Sequence, residues 1–197
     1  MEIVLCVITG YIFGSISFSY LFTYLLTGKD IRDIGTGNPG AANVARTVGK
    51  QWGVLVWIGD TVKGVIPMVL ARYLGIHNII LLTIIGISAI LGHCYSLLLQ
   101  FKGGKGAATS GGVVLFLMPI LFPLVIFLWF LAQKINPRSP KVIILSVSFY
   151  FLCMFFAYGL RVNMSVFLQV SASSLLLIIS GVLINPAFIK EMEKKKI

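Results

Sequence analysis

Between Thr27 and Lys50 the chain reads TGKDIRDIGTGNPGAANVARTVGK, and the polar residue types in that stretch bear on chemistry. Gly35, Gly37 and Gly40 have GxGxxG spacing. Glycines so placed let successive backbone N–H groups converge on an anion. The segment Ala41-Ala-Asn-Val-Ala-Arg46 after them predicts a helix whose N-terminus faces the same spot. Thr36, Asn38 and Asn43 add donors, and Arg46 adds a fork matched to phosphate oxygens. The loop is thus a candidate phosphate site, and the competing reading is a glycine-rich turn that only joins two helices. A dinucleotide fingerprint needs a preceding strand. An apolar run and a charged turn stand there instead, which excludes a Rossmann unit.

A second loop, Lys102-Gly-Gly-Lys-Gly106, repeats the recipe. Gly103, Gly104 and Gly106 free the backbone, Lys102 and Lys105 supply cations, and Ala107-Ala-Thr-Ser110, with Thr109, predicts a helix start. It lacks the GK[ST] ending of a nucleotide P-loop. Two anion cradles on one face suit two phosphate groups. A third departure is Gly59-Asp-Thr-Val-Lys-Gly64, inside an apolar run, where Asp60 and Lys63 at i, i+3 can face each other. Ionisable groups at such depth are expensive unless paired or lining a polar cavity. An ion pair orienting the neighbouring loops and a direct substrate contact both remain open, and Asp33 is placed with Asp60 and Lys63 as loop scaffolding. His93 is either a general base or a hydrogen-bonding strut near a helix end.

The elements that must position these residues follow from composition. The chain has 197 residues, 58% hydrophobic and 11% charged, too few polar groups to cover a soluble globule. Apolar runs at 3–26, 53–74, 79–99, 142–160 and 164–184 reach the length of about 20 residues that a membrane-spanning helix needs. The stretch 107–133, with Pro119 and Pro123 in its middle, is about 40 Å as a helix, too long for one upright crossing. Charge arbitrates. If the stretch turns back at Met118-Pro119, segments 27–52, 100–106, 134–141 and 185–197 share one side and hold 13 of the 16 cations. If it crosses once, the cations divide 7 against 8, which violates the positive-inside bias. The expectation is an all-α integral membrane protein, one domain over 1–197. It has seven transmembrane helices, two of them short (107–118 and 120–133), with the N-terminus outside and the C-terminus cytoplasmic. The formal charge of +10 belongs to this inner face and an anionic leaflet, not to nucleic acid. Cys6, Cys94 and Cys153 are far apart in apolar stretches and read as packing residues, not as a disulfide or metal set.

With these residues in place, the chain resembles the bacterial acyl-phosphate:glycerol-3-phosphate acyltransferases of the PlsY type. The pieces that match are Gly14-Ser-Ile, Asp30-Ile-Arg-x-Ile-Gly-Thr-Gly-Asn-Pro-Gly-Ala-Ala-Asn-Val-x-Arg46, Gly49-Lys50, Asp60-x-x-Lys-Gly64, Leu91-Gly-His93 and Phe101-Lys-Gly-Gly-Lys-Gly-x-Ala-Thr109, in order over the first 110 residues or so. Thr36 stands where the family usually has Ser, and Ala42 where it has Thr. The family's third signature is not recognisable in Asn136–Ser146, where Ser139 or Ser146 are the candidate substitutes, and Asn185 is the one comparable polar group near the C-terminus.

The resemblance implies a seven-helix enzyme of the plasma (inner) membrane, its active site facing the cytoplasm. It would move an acyl chain from acyl phosphate to the sn-1 hydroxyl of glycerol 3-phosphate, giving lysophosphatidate and phosphate, with no cofactor, acyl-CoA or metal. It also implies that Thr36, Gly37, Asn38, Asn43 and Arg46 fall in the first phosphate site and Lys105 in the second. Acyl phosphate is already a mixed anhydride, so Arg46, Lys105 and Asn38 are the candidate catalytic groups, holding charge on the leaving phosphate and in the transition state. The remaining loop residues and His93 are candidate substrate contacts. Two other readings stay open: a homologue acylating another acceptor alcohol, and a transporter of a phosphorylated solute.

Overall fold

The computed structural model describes residues 2–117 together with 119, 123 and 127. Outside them lie the runs 142–160 and 164–184, nearly all of the expected crossing 120–133, and Ser139, Ser146 and Asn185. The count of seven helices and the placement of the termini fall outside them too.

The described residues form six α-helices: α1 (Glu2–Ser15), α2 (Phe18–Thr27), α3 (Ala41–Thr47), α4 (Lys50–Tyr73), α5 (Ile79–Cys94) and α6 (Ala107–Leu117). Three stretches are long and apolar enough to cross a membrane: Glu2–Thr27, Lys50–Tyr73 and Ile79–Leu99. The expected run 3–26 is therefore present, but it is two helices, not one. Ser17 starts the second by accepting from the Tyr20 N–H at 3.3 Å. Hydropathy does not register such a break, because Ile16 and Ser17 are both tolerated in an apolar run. A broken helix in lipid survives only where its freed backbone groups find partners in the protein. Here the Ser15 carbonyl accepts from Ser96 Oγ at 2.6 Å, and the Ile16 carbonyl from Lys63 Nζ at 2.6 Å.

Small residues let the helices approach, the usual device where lipid removes the hydrophobic drive between them. A Cβ added at Gly14 of α1 would strike the Ala89 carbonyl of α5, and one at Gly64 of α4 would lie 2.5 Å from the Thr109 carbonyl of α6. Met68, Ala71, Ile85, Ile90 and Val113 fill the space among α4, α5 and α6. A second cluster, Ile31, Val44 and Val56, with Phe18 and Trp52 against it, clamps the first loop and α3 onto α4.

Candidate functional site

The first loop runs from Gly28 to Gly40. Ile31–Asp33 form a single 3-10 turn, and the fully buried Ile31 anchors it. Gly35 and Gly37 have φ of +60° and +69°, a left-handed conformation that favours glycine. The consequence differs from an open anion cradle. The Thr36 N–H donates to Asn43 Oδ1 (2.9 Å), the Gly37 N–H to the Ile34 carbonyl (3.1 Å) and the Gly40 N–H to the Asn38 carbonyl (2.9 Å). Two of these donors thus return to the loop's own carbonyls and the third ties the loop to the Asn43 side chain of α3, so none of the three is left for an anion. The N–H groups of Ala41 and Ala42, at the start of α3, have no acceptor among the described residues.

Asn43, expected as a phosphate donor, is buried beneath this loop. Its Nδ2 donates to the carbonyls of Ile31 (3.3 Å) and Ile34 (3.0 Å), so its donors serve the loop. Thr36 and Arg46 are exposed and Asn38 is half-buried. Neither Arg46 nor Asn38 has a side-chain hydrogen bond or ion pair among the described residues. Asp33 is exposed and equally without one; the bracing expected of it belongs to Asp30. Asp30 accepts from the Arg32 backbone N–H and from Arg32 Nε, both at 2.9 Å to one or other carboxylate oxygen. Arg32 then reaches the Leu99 carbonyl at 3.0 Å, across to the second loop. The Arg32 guanidinium holds the Asp30 carboxyl below its ordinary range, and Asp30 in turn raises Arg32. An i, i+2 pair across a single 3-10 turn follows no helical period, and no strand pattern runs through this loop, so sequence reasoning missed it.

The second loop begins at a strained turn. Gln100 and Phe101 have φ of +54° and +62°, uncommon for any non-glycine residue and more so for a bulky one. The Phe101 N–H donates to the Ser96 carbonyl at 2.7 Å, which holds the turn shut. The Gly103 and Gly104 N–H groups donate to the carbonyls of Cys94 (3.1 Å) and His93 (3.0 Å), so the loop folds back along the end of α5. Lys102 and Lys105 are exposed. Gly106 (φ +77°) leads into α6, where the expected helix start is found; Thr109, expected as a substrate contact, is fully buried against α4.

The two loops meet. A Cβ on Gly104 would lie 2.5 Å from the Pro39 carbonyl and would also strike His93 Nε2, so only glycine lets them touch. Between them lies an open cleft of about 410 Å³ lined by Asp30, Arg32, Asp33, Gln100 and Lys102. Out of solvent, Lys63 Nζ lies 2.8 Å from Asp60 Oδ1, the pairing expected from the i, i+3 spacing. His93 Nδ1 stands 3.6 Å from the same oxygen, so the histidine is buried beside the ion pair rather than in the cleft. The fold thus brings together Gly35–Gly40, Lys102–Gly106, Asp60, Lys63 and His93. It places Asn43 under the first loop and Thr109 between α6 and α4, both outside the lining of the cleft.

A family model described as glycerol-3-phosphate acyltransferase matches residues 4–187. The glycerol-3-phosphate acyltransferase of Syntrophomonas wolfei is 48% identical over 117 residues, which span 59% of this chain and only 57% of that relative. That of Pseudomonas paraeruginosa is 39% identical over 135 residues, 68% of this chain and 71% of the relative. That of Aquifex aeolicus is 43% identical over 136 residues, 66% and 70% of the two chains. Among solved structures the chain is similar to PlsY (YgiH), an integral membrane glycerol 3-phosphate acyltransferase, in its glycerol 3-phosphate form. The TM-score is 0.71 at 33% identity, covering 91% of this chain and 88% of that one. The lysophosphatidic acid form of PlsY gives a TM-score of 0.71 at 29% identity, covering 99% and 93%.

Proposed function

Since this chain belongs to the glycerol-3-phosphate acyltransferase family, we propose that it transfers an acyl chain from acyl phosphate to the sn-1 hydroxyl of glycerol 3-phosphate at the inner face of a bacterial plasma membrane. The products are lysophosphatidate and inorganic phosphate, the entry into phospholipid synthesis. The observation that carries this reading is the contact of the two glycine loops at Pro39 and Gly104, which puts a cationic segment holding Lys102 and Lys105 beside the Gly35–Gly40 loop. Two phosphate-bearing substrates need two such neighbours.

The hydroxyl oxygen attacks the acyl carbonyl carbon, the bond from that carbon to the phosphate oxygen breaks, and the departing phosphate takes the hydroxyl proton. The anhydride is already activated, so the protein's part is to hold two reactants in line and keep water away. Arg46 and Lys105, exposed and without protein partners among the described residues, hold phosphate oxygens and stabilise the leaving charge. Asn38 and the free N–H groups of Ala41 and Ala42 supply further donors, whereas Asn43 acts by shaping the loop. The acyl chain lies along the apolar, outward-facing helix surfaces, reached from the bilayer.

Purified protein given acyl phosphate and glycerol 3-phosphate should release phosphate. Arg46→Ala or Lys105→Ala should reduce kcat by about 10²–10³-fold, the usual loss when one oxyanion-type donor is removed. Full activity in both variants overturns the role assignment, and activity with acyl-CoA in place of acyl phosphate overturns the donor. One observation favours transport of a phosphorylated solute instead: the break between α1 and α2, a feature of transporters. Its Ser15 and Ile16 carbonyls already accept from Ser96 and Lys63, and the ammonium seated on the Ile16 carbonyl would repel a coupling cation there. Liposome uptake of glycerol 3-phosphate without turnover would decide for transport.

A further inference from the structure

The helix break and the buried ion pair are one feature. Lys63 Nζ, 2.8 Å from Asp60 Oδ1, donates at 2.6 Å to the Ile16 carbonyl, which the break has deprived of its helical partner. The same Asp60 oxygen faces His93 Nδ1 at 3.6 Å. The other ring nitrogen of His93 abuts Gly104, and the His93 carbonyl accepts the Gly104 N–H at 3.0 Å. A path of close approaches therefore runs from the break in the first helix, through Lys63, Asp60 and His93, to the lysine loop and, by the close packing of Gly104, to Pro39 of the glycine loop. Within it the Lys63 contacts and the bond from the Gly104 N–H to the His93 carbonyl are hydrogen-bonded or ionic, and the buried His93 Nδ1 faces Asp60 without a hydrogen bond.

Stability alone is a poor reason for such a path. A buried ion pair often contributes no more than well-packed apolar residues of the same size. The path ends on the loop that carries Lys102 and Lys105, and the backbone anchors of Gly103 and Gly104 are the carbonyls of Cys94 and His93. We propose that Lys63, Asp60 and His93 are positioning residues that fix the lysine loop against the glycine loop by tying both to the break in the first helix. The consequence for turnover rests on the acyl-transfer reading above. None of the three touches substrate; each acts through the next.

Lys63→Met alone would strand the Asp60 carboxylate and fail to fold for that reason. The test is therefore the neutral pair Asp60→Asn/Lys63→Met in the full chain, with His93→Ala and His93→Asn beside it. The double variant should purify as a folded protein with a melting temperature close to the native one, while kcat for phosphate release falls about 100-fold, the scale of a misplacement of roughly 1 Å. His93→Asn should restore part of what His93→Ala loses. Amide exchange at Gly103 and Gly104 should quicken tenfold or more in the double variant and in His93→Ala, with exchange in α4 and α5 unchanged. A folded double variant with native kcat overturns the proposal, as does native exchange at the two glycines. A double variant that does not fold overturns positioning for that pair, and His93→Ala then decides it for the ring. If the native protein releases no phosphate from these substrates, the acyl-transfer reading fails and the exchange comparison still decides positioning.

Discussion

Asn43 and Arg46 lie three residues apart on α3, and the sequence presents both as phosphate ligands. Their surroundings separate them. Asn43 is 1% exposed and makes three hydrogen bonds to the loop above it, whereas Arg46 is exposed. Asn43→Ala strands the Thr36 N–H and the Ile31 and Ile34 carbonyls, a loss of about 1–3 kcal/mol. It should lower the melting temperature and the activity together, while Arg46→Ala should lower activity alone. Asn43→Asp should be worse than alanine, because it puts an anionic oxygen against two carbonyls; thermal unfolding and phosphate release on the three variants check this. Asp30 gives a pH signature. Its folded carboxyl lies below its ordinary range, so its pairing with Arg32 contributes fully above the unfolded value near pH 4 and is lost as pH falls through the folded value. The pair is partly exposed, so the effect is at most about 1 kcal/mol. The native protein should unfold at a slightly higher temperature than Asp30→Asn at pH 7, and that gap should close below about pH 4. Residue types were legible from the sequence; whether a donor faces substrate or its own loop was not, since that depends on where the left-handed turns at Gly35 and Gly37 send the chain.

Among elements, the sequence located the helices better than their interruptions. The runs 53–74 and 79–99 correspond to α4 and to α5 with the short turn after it, and the helix start at Ala107 is where the glycine loop predicted it. The break at Ile16–Ser17 was not legible because its partners, Lys63 and Ser96, are 47 and 81 residues away from the carbonyls they hold. The alternating serines Ser15, Ser17 and Ser19 were the available signal. Contact between α1 and α5 depends on Gly10 and Gly14, one turn apart, facing the Ile85 and Ala89 carbonyls. Gly14→Leu forces these backbones apart, and overpacking of this kind costs about 1–3 kcal/mol. Because Ser15 and Ile16 follow directly, the substitution should also displace the break from Ser96 and Lys63. Activity should therefore fall by more than in a Gly75→Leu control, where open space surrounds the position and the cost is confined to its own left-handed backbone (φ +88°). Equal loss in both variants would show that the α1–α5 contact does not reach the site.

For the whole molecule, the orientation follows from where the cations lie. The loops that meet at Pro39 and Gly104 belong to segments 27–52 and 100–106, which carry six of the 16 cations at one end of the bundle. Most of the remaining cations, seven of them, lie in 134–141 and 185–197. If these segments share the side of the loops, 13 cations face one leaflet, as the positive-inside rule requires of a cytoplasmic face with anionic lipid. If they do not, the chain holds cations in near-equal number on both sides, and nothing in its loops would fix its orientation during insertion. Cysteines introduced at Ser139 and Lys195, in a background without Cys6, Cys94 and Cys153, should resist a membrane-impermeant thiol reagent in intact cells and react after permeabilisation. A cysteine at Thr36 should behave identically, because the acyl-transfer site and the basic segments then share the compartment that holds glycerol 3-phosphate. Labelling of Ser139→Cys and Lys195→Cys from outside, with Thr36→Cys protected, would mean an odd number of crossings between residues 106 and 139. The turn at Met118-Pro119 would then be abandoned in favour of one tilted helix.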